Sequence, residues 1–279
     1  MLSPIFISGG GRSGTTLLAM MLDSHRNIAM GAEYPLTLNG DFTVGDLLLV
    51  TNRSKRLPMG HRLEKAWRSK DRAERCGVLP KELAVVLRGI PGSTGSRGHS
   101  LVIDGMGGVL LRKTGKTRWG FKIMLDAHHV DVYQEIWPEC RIVHVVRDGR
   151  DSYASERAFG WGTKDVRDAA AKWVDLNAPR RGVLMVRYES LVRNPSDTMK
   201  EILEWVGEDW DDNVLRHEAM PHLFHSMTRV RHPSRAQTKR KIYTGKIGRH
   251  RSDLTPEEIA AYESIAMDRL EELGYARSS

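Results

Sequence analysis

"FISGGGRSGTTLL", Phe6 to Leu18, decides how the rest of the chain is read. A short apolar run, Ile5-Phe6-Ile7, stops at three glycines, and a helical pattern resumes at Thr15 with Leu17, Met20, Met21 and Leu22 on its apolar face. A strand, a glycine turn and a helix make the frame of a phosphate-gripping loop. The nucleotide-triphosphate version has the form G-x-x-x-x-G-K-[ST]. Gly9, the spacing to Gly14 and the hydroxyl pair Thr15-Thr16 conform to it, but Thr15 stands where the lysine belongs and Arg12 is the only cation in the loop. A helix starting just after Arg12 aims its free amides, and its positive dipole end, into the turn. Amides from Gly11 to Thr16, with the hydroxyls of Ser13, Thr15 and Thr16, can then surround the oxygens of a tetrahedral anion. Arg12 adds a forked, permanently charged donor. The expected ligand is a phosphate or sulfate group.

Two further strands follow the same scheme. "RIVHVVRDGRD" carries a β-branched run from Ile142 to Val146, interrupted only by His144, a turn at Asp148-Gly149, and a helical pattern from about Asp151 to Phe159. "GVLMVRYESL" repeats it at Val183 to Val186, with Arg187-Tyr188-Glu189 at the end. Strands alternating with helices imply an α/β fold with a largely parallel central sheet flanked by helices, and ligands of such sheets bind beyond the carboxyl ends of the strands. The strongest strand ends in Arg147 where a metal-dependent phosphotransferase would place an acid. A bound phosphate fits that position better than a metal.

The chain of 279 residues is long enough for a sizeable core and is expected to form one domain. No apolar run approaches the roughly 20 residues of a membrane span, and the opening "MLSPIFISGGG" does not read as a secretory leader, so the expected address is the cytosol. Cys76 and Cys140 have neither metal-ligand spacing nor disulfide density. The net charge of +8 favours an anionic ligand. It does not single out nucleic acid, because basic residues are scattered among acidic ones and aromatic residues make up only 7%. Residues 38–118 are the least legible: "LPMGHRLEKAWRSKDRAER" reads as a basic amphipathic helix, and Arg88 to Gly98 as an exposed glycine-rich loop. The final segment, "TPEEIAAYESIAMDRLEELGY", reads as a helix with Thr255 as N-cap, Pro256 in its first turn, Glu258 completing a capping box and Gly274 as its stop.

"GGGRSGTTLLAMMLDSH" resembles the 5′-phosphosulfate loop of sulfotransferases that use 3′-phosphoadenosine 5′-phosphosulfate (PAPS), and "VVRDGRDSYASE" resembles their 3′-phosphate motif, an arginine and a serine eight positions later. The likeness is strongest to the tyrosylprotein sulfotransferase-like branch and its bacterial relatives, and it covers the nucleotide-binding frame from both ends of the chain. It implies the sulfotransferase fold, PAPS as donor without a required metal, and an acceptor bearing a hydroxyl: a small molecule, a sugar, a lipid or a peptide tyrosine. It implies that Gly11, Arg12, Ser13, Gly14, Thr15 and Thr16 hold the 5′-phosphosulfate, that Arg147 and Ser155 hold the 3′-phosphate, and that Tyr188 lies near the adenosine. "KIYTGKIGRHR" resembles the C-terminal segment that closes over the nucleotide, so Lys246, Gly248 and Arg249 are expected there, although Lys246 and His250 depart from its G-[RK]-W pattern.

Three catalytic positions follow from the same resemblance. Glu33 in "MGAEYP" matches the branch's catalytic base, with Ala32 replacing a first acid. Lys122 in "WGFKIML" stands where the family's catalytic lysine precedes its arginine, without the customary K-[DST]-P context; a lysine at a strand end otherwise snorkels. Arg12 joins Lys122 in offsetting charge on the bridging oxygen. His128 and His129 are rival bases, and Phe159 and Trp161 either line a pocket or pack. The competing readings are a P-loop kinase or other nucleotide phosphotransferase and, more remotely, a basic nucleic-acid-binding module.

Overall fold

The computed structural model describes residues 3–31, 43–53, 61–90, 95–123, 129–160, 162–223 and 235–278. Among them five strands, β1 (Ile5–Gly9), β2 (Ile28–Gly31), β3 (Arg118–Lys122), β4 (Arg141–Val146) and β5 (Val183–Arg187), form one sheet of order β2-β3-β1-β4-β5. β2 and β3 run parallel with Ile28 opposite Arg118, and β4 and β5 run parallel with Ile142 opposite Val183. The expected α/β architecture is present. Its chain divides into two compact units, Met1–Phe6 with Thr16–Ile123 and Asp211–Lys241, and Ile7–Thr15 with Met124–Trp210 and Ile242–Ser279.

The first unit contains α1 (Thr15–Asp23, from its second residue), α2 (Val44–Thr51), α3 (His61–Arg75), α4 (Pro80–Arg88) and α5 (Gly95–Thr114). The apolar face read on α1 extends almost around the helix: Leu18, Ala19, Met20, Met21 and Leu22 are all sealed from solvent, as befits a helix buried beside a sheet. The loop read over Arg88 to Gly98 is corrected at its far end: α4 ends at Arg88 with Gly89 as its C-cap, residues 91–94 lie outside the described ones, and α5 already begins at Gly95. The helix cost of about 1 kcal/mol per glycine is offset by burying Val102, Ile103, Met106, Val109 and Leu110 further along the same helix. The basic helix read over Leu57 to Arg75 is α3 from His61 on, the four residues before it lying outside the described ones, and in it Lys70 turns inward, its Nζ bonding the Arg53 carbonyl at 3.0 Å.

The second unit contains α6 (His129–Ile136), α7 (Gly149–Ala158), α8 (Val166–Leu176), α9 (Tyr188–Arg193), α10 (Pro195–Val206), α11 (His250–Asp253) and α12 (Pro256–Glu272). Its core joins Val146, Tyr153, Trp173, Tyr262, Met267 and Tyr275. α7 starts two residues earlier than the sequence suggested. Asp148 is its N-cap, accepting from the Arg150 backbone at 3.0 Å, and Gly149 lies where a Cβ would come within 2.1 Å of the Tyr262 hydroxyl. These residues therefore cap and pack a helix. They do not form a turn ahead of one. α12 matches its expectation: Thr255 accepts from Glu258 N at 3.3 Å, Glu258 accepts from Thr255 N at 2.9 Å, and Gly274 takes φ 77°. His144, the polar break in β4, is buried between Ser8 at 3.0 Å and Asn177 at 2.9 Å, and both free cysteines are buried.

Candidate functional site

In the second unit, β1 delivers the chain into a tight turn in which Ser13 donates from both its hydroxyl (2.8 Å) and its amide (3.3 Å) to the Gly10 carbonyl. α1 opens at Thr15 rather than just after Arg12. Arg12 itself sits at φ 60°, the only non-glycine residue at positive φ among those described. Such a conformation costs on the order of 1–3 kcal/mol and persists where the surroundings enforce it. Three contacts do so here. Arg12 Nε donates to Ser155 Oγ at 3.2 Å, its guanidinium lies 4.4 Å from the centre of the Phe159 ring, and its carbonyl accepts from Arg147 Nη1 at 3.1 Å. Phe159 is thus the platform for the loop arginine.

Arg147 leaves the end of β4 and is 5% exposed. Its Nη2 reaches Asp151 at 3.4 Å and the Lys246 carbonyl, and its guanidinium lies 4.8 Å from the centre of the Tyr188 ring. Its Nε is buried with no hydrogen-bond partner among the described residues. Tyr188 also packs on the loop: a Cβ at Gly14, whose φ is 101°, would stand 2.5 Å from Tyr188 Cδ2. Ser155 lies in the second turn of α7, where Arg12 of the loop bonds its hydroxyl while the Arg12 carbonyl accepts from Arg147.

The C-terminal segment reaches this cluster by its backbone. Besides the Lys246 carbonyl, Gly248 N donates to Asp151 Oδ2 at 2.7 Å. The Arg249 side chain is bonded to Asp253, with Nε at 2.8 Å. His250 donates to Asp151 Oδ1 from its amide (3.0 Å) and meets the same oxygen with Nδ1 (2.6 Å). Neither Asp151 nor His250 has a part in the sequence reading; the four-residue spacing from Arg147, at the strand end, to Asp151, in the first turn of the helix that follows, is the signal that could have found it.

Cations crowd the site. Burial, then the charges of Arg147 and Arg249, pull Arg12 below its ordinary value, with Glu156 acting the other way. Burial raises Glu156, a carboxylate that lies against Gly11 so closely that a Cβ there would fall 2.0 Å from its Oε1. A site that disfavours its own positive charge gains from an added anion. The buried, unpartnered Nε of Arg147 is a donor that such an anion satisfies. Guanidiniums, hydroxyls and loop amides are donors that suit phosphate and sulfate oxygens, so the residues present fit a phosphate or sulfate group.

In the first unit, Lys122 ends β3 and its Nζ lies 3.4 Å from the hydroxyl of Thr16, the residue that follows the loop in the chain. Glu33, His128 and Trp161 lie outside the described residues, as does the side chain of His129.

The model of the "Sulfotransferase family" matches residues 4–212, and that of the "Sulfotransferase domain" matches residues 165–274. Protein-tyrosine sulfotransferase A of Caenorhabditis elegans is 27% identical over 230 residues, which cover 77% of this chain and 53% of the relative. The chain spans about half the length of the curated relatives it matches. Among solved structures, the sulfotransferase domain of the Synechococcus PCC 7002 olefin synthase superposes with a TM-score of 0.56 at 20% identity, covering 95% of this chain and 96% of that one. Mouse sulfotransferase SULT7A1, solved in complex with PAP, superposes with a TM-score of 0.50 at 14% identity, covering 98% and 85%.

Proposed function

The chain belongs to the sulfotransferase family, and we propose that it moves the sulfuryl group of PAPS to an acceptor hydroxyl, leaving adenosine 3′,5′-bisphosphate. Sulfuryl transfer is the chemistry of the family; the donor and the acceptor are the proposal. The observation that carries it is Arg147, buried with its Nη1 on the carbonyl of Arg12, the residue that bonds Ser155, and with its Nε unpartnered among the described residues.

Arg147 binds the 3′-phosphate through that Nε. Ser155 Oγ accepts from Arg12 and keeps its own proton to donate to the same phosphate. Gly11, Ser13, Gly14, Thr15 and Thr16 offer amides and hydroxyls to the 5′ end, with Arg12 as their charge. Tyr188 borders the adenosine, and Lys246, Gly248 and Arg249 close the 3′ side. PAPS supplies the sulfuryl group, whose bond to the 5′-phosphate breaks as the bond to the acceptor oxygen forms. Lys122 and Arg12 place fixed positive charge for the departing phosphate oxygen, the function that a metal serves in phosphoryl transfer. Glu33 takes the acceptor proton. The names of the curated relatives favour a tyrosine hydroxyl of a protein as acceptor.

Calorimetry tests the donor. Adenosine 3′,5′-bisphosphate binds without Mg²⁺ and more tightly than ATP with Mg²⁺. Arg147→Ala weakens the bisphosphate about 10- to 100-fold, the worth of a charged hydrogen bond of about 1.5–3 kcal/mol, and leaves adenosine 5′-phosphosulfate nearly unchanged. Tighter binding of ATP with Mg²⁺ would move the assignment to a kinase.

A further inference from the structure

We infer that Asp151 and His250 form a latch, in which Asp151 is a positioning residue that fastens the Lys246–His250 segment to Arg147 and so makes tight binding of the 3′-phosphate depend on a carboxylate–imidazole pair. The inference rests on the proposed PAPS reading and adds to it two residues that hold the clamp without touching the nucleotide.

The Asp151 carboxylate is sealed from solvent, and both its oxygens are taken. Oδ1 accepts from His250 N at 3.0 Å and faces His250 Nδ1 at 2.6 Å; Oδ2 accepts from Gly248 N at 2.7 Å and from Arg147 Nη2 at 3.4 Å. An ionised carboxylate has about four lone-pair sites, so these donors fill it and leave nothing for a ligand. Three of the donors come from the C-terminal segment and one from Arg147. The carboxylate therefore acts through its neighbours.

The same guanidinium edge is fastened a second time, because Arg147 Nη2 also donates to the Lys246 carbonyl. Nη1 is held by the Arg12 carbonyl. With both terminal nitrogens engaged on protein oxygens, the plane of the guanidinium is set, and Nε is the edge left to meet a phosphate. The segment itself turns at Gly248, φ 76°, where a Cβ would find nothing within 4 Å. Its other bonds are local, Ile247 N to the Thr244 carbonyl and Arg249 to Asp253. Burial works to raise the Asp151 carboxyl, but hydrogen bonds from His250 and the charge of Arg147 outweigh it and hold the group below the usual carboxylate range. An ionised Asp151 is the state in which all four donors are satisfied. Burying such a hub is worthwhile only when every member is paired, which is why loss of one donor is expected to loosen the rest.

The test is calorimetry of adenosine 3′,5′-bisphosphate and of adenosine 5′-phosphosulfate against the unaltered protein, His250→Phe and His250→Asn. His250→Phe keeps a ring but has no donor, and it should weaken the bisphosphate at least tenfold while the phosphosulfate, lacking a 3′-phosphate, changes less than threefold. His250→Asn offers an amide N–H in place of Nδ1–H and should recover bisphosphate affinity to within threefold. With the bisphosphate bound, trypsin should cut slowly after Lys246 and Arg249 in the unaltered protein and in His250→Asn, and several-fold faster in His250→Phe. If His250→Phe does not fold, Asp151→Asn turns an amide toward Gly248 N and Arg147 and should show the same selective loss. Bisphosphate affinity and cleavage unchanged in folded His250→Phe or in folded Asp151→Asn would overturn the latch while leaving the PAPS reading intact. No uptake of the bisphosphate by the unaltered protein would end both.

Discussion

Gly14→Ala is the substitution for which the structure supplies most of the arithmetic. The residue holds φ 101°, and a Cβ added there would lie 2.5 Å from Tyr188 Cδ2, 3.2 Å from Cε2 and 3.5 Å from Cγ. Carbon atoms prefer about 3.5–4.0 Å, so the ring must withdraw by roughly 1 Å. Tyr188 is 8% exposed and its ring carries the Arg147 guanidinium, so little space is at hand. Backbone strain of about 1–3 kcal/mol and overpacking of about 1–3 kcal/mol together predict a loss of about 2–6 kcal/mol, against a usual total of about 5–15 kcal/mol. The control is Gly10→Ala in the same loop. It has no positive φ of this kind, and its new Cβ would meet only the Leu176 Cδ2 methyl at 3.2 Å, which a small side-chain shift relieves. Thermal unfolding reads the contrast, at roughly 2–4 °C per kcal/mol for chains of about 150–250 residues. Gly14→Ala should melt at least about 5 °C below Gly10→Ala and lose affinity for adenosine 3′,5′-bisphosphate as Tyr188 and Arg147 move. Equal melting temperatures for the two variants would show that the loop is not held against Tyr188 as described.

Three further outcomes can be measured. Glu33→Gln should lower turnover about 10²–10⁴-fold, the range of general-base contributions, with nucleotide affinity unchanged; a parallel loss of both would remove it from that role. His144 is buried and its ring is pushed down to about 4, mainly by desolvation. Below an unfolded value of about 6.5 the unfolded chain binds the proton that the folded chain refuses, so stability should fall from about pH 6.5 to about pH 4 and level off below that, by a few kcal/mol at most. His144→Gln should flatten that part of the denaturation-versus-pH curve, and an unchanged slope would assign it to other groups. Thr255→Ala removes the side-chain half of the α12 capping box and should cost about 1 kcal/mol, read as a lowered urea midpoint at constant m-value; no shift would mean that Pro256 and packing alone set the helix start.

Legibility followed the range over which each signal acts. The loop from Gly9 to Thr16 could be read because a strand, its glycines and the helix after them are neighbours in the chain. The capping box of α12 was equally plain, since its two partners stand three residues apart. Residues 38–118 were opaque for the opposite reason. Gly95 and Gly98 argue locally for a loop, and only the burial of Val102, Ile103 and Met106 explains why α5 begins there. Asp148-Gly149 failed similarly: the pair looks like a turn until Tyr262, more than a hundred residues later, is seen to occupy the space a side chain would need.

The residue order by itself determined the α/β alternation, the strand–glycine turn–helix form of the opening segment and the places of Arg147 at a strand end and Ser155 in the helix after it, because periodicity, glycine conformation and strand-end position are properties of short stretches. Only the tertiary structure decided how Arg147 is used. Its acceptors stand 4, 99 and 135 residues away, at Asp151, Lys246 and Arg12. The energy of a buried charge depends on the groups that surround it once the chain has closed, and no local pattern carries that information.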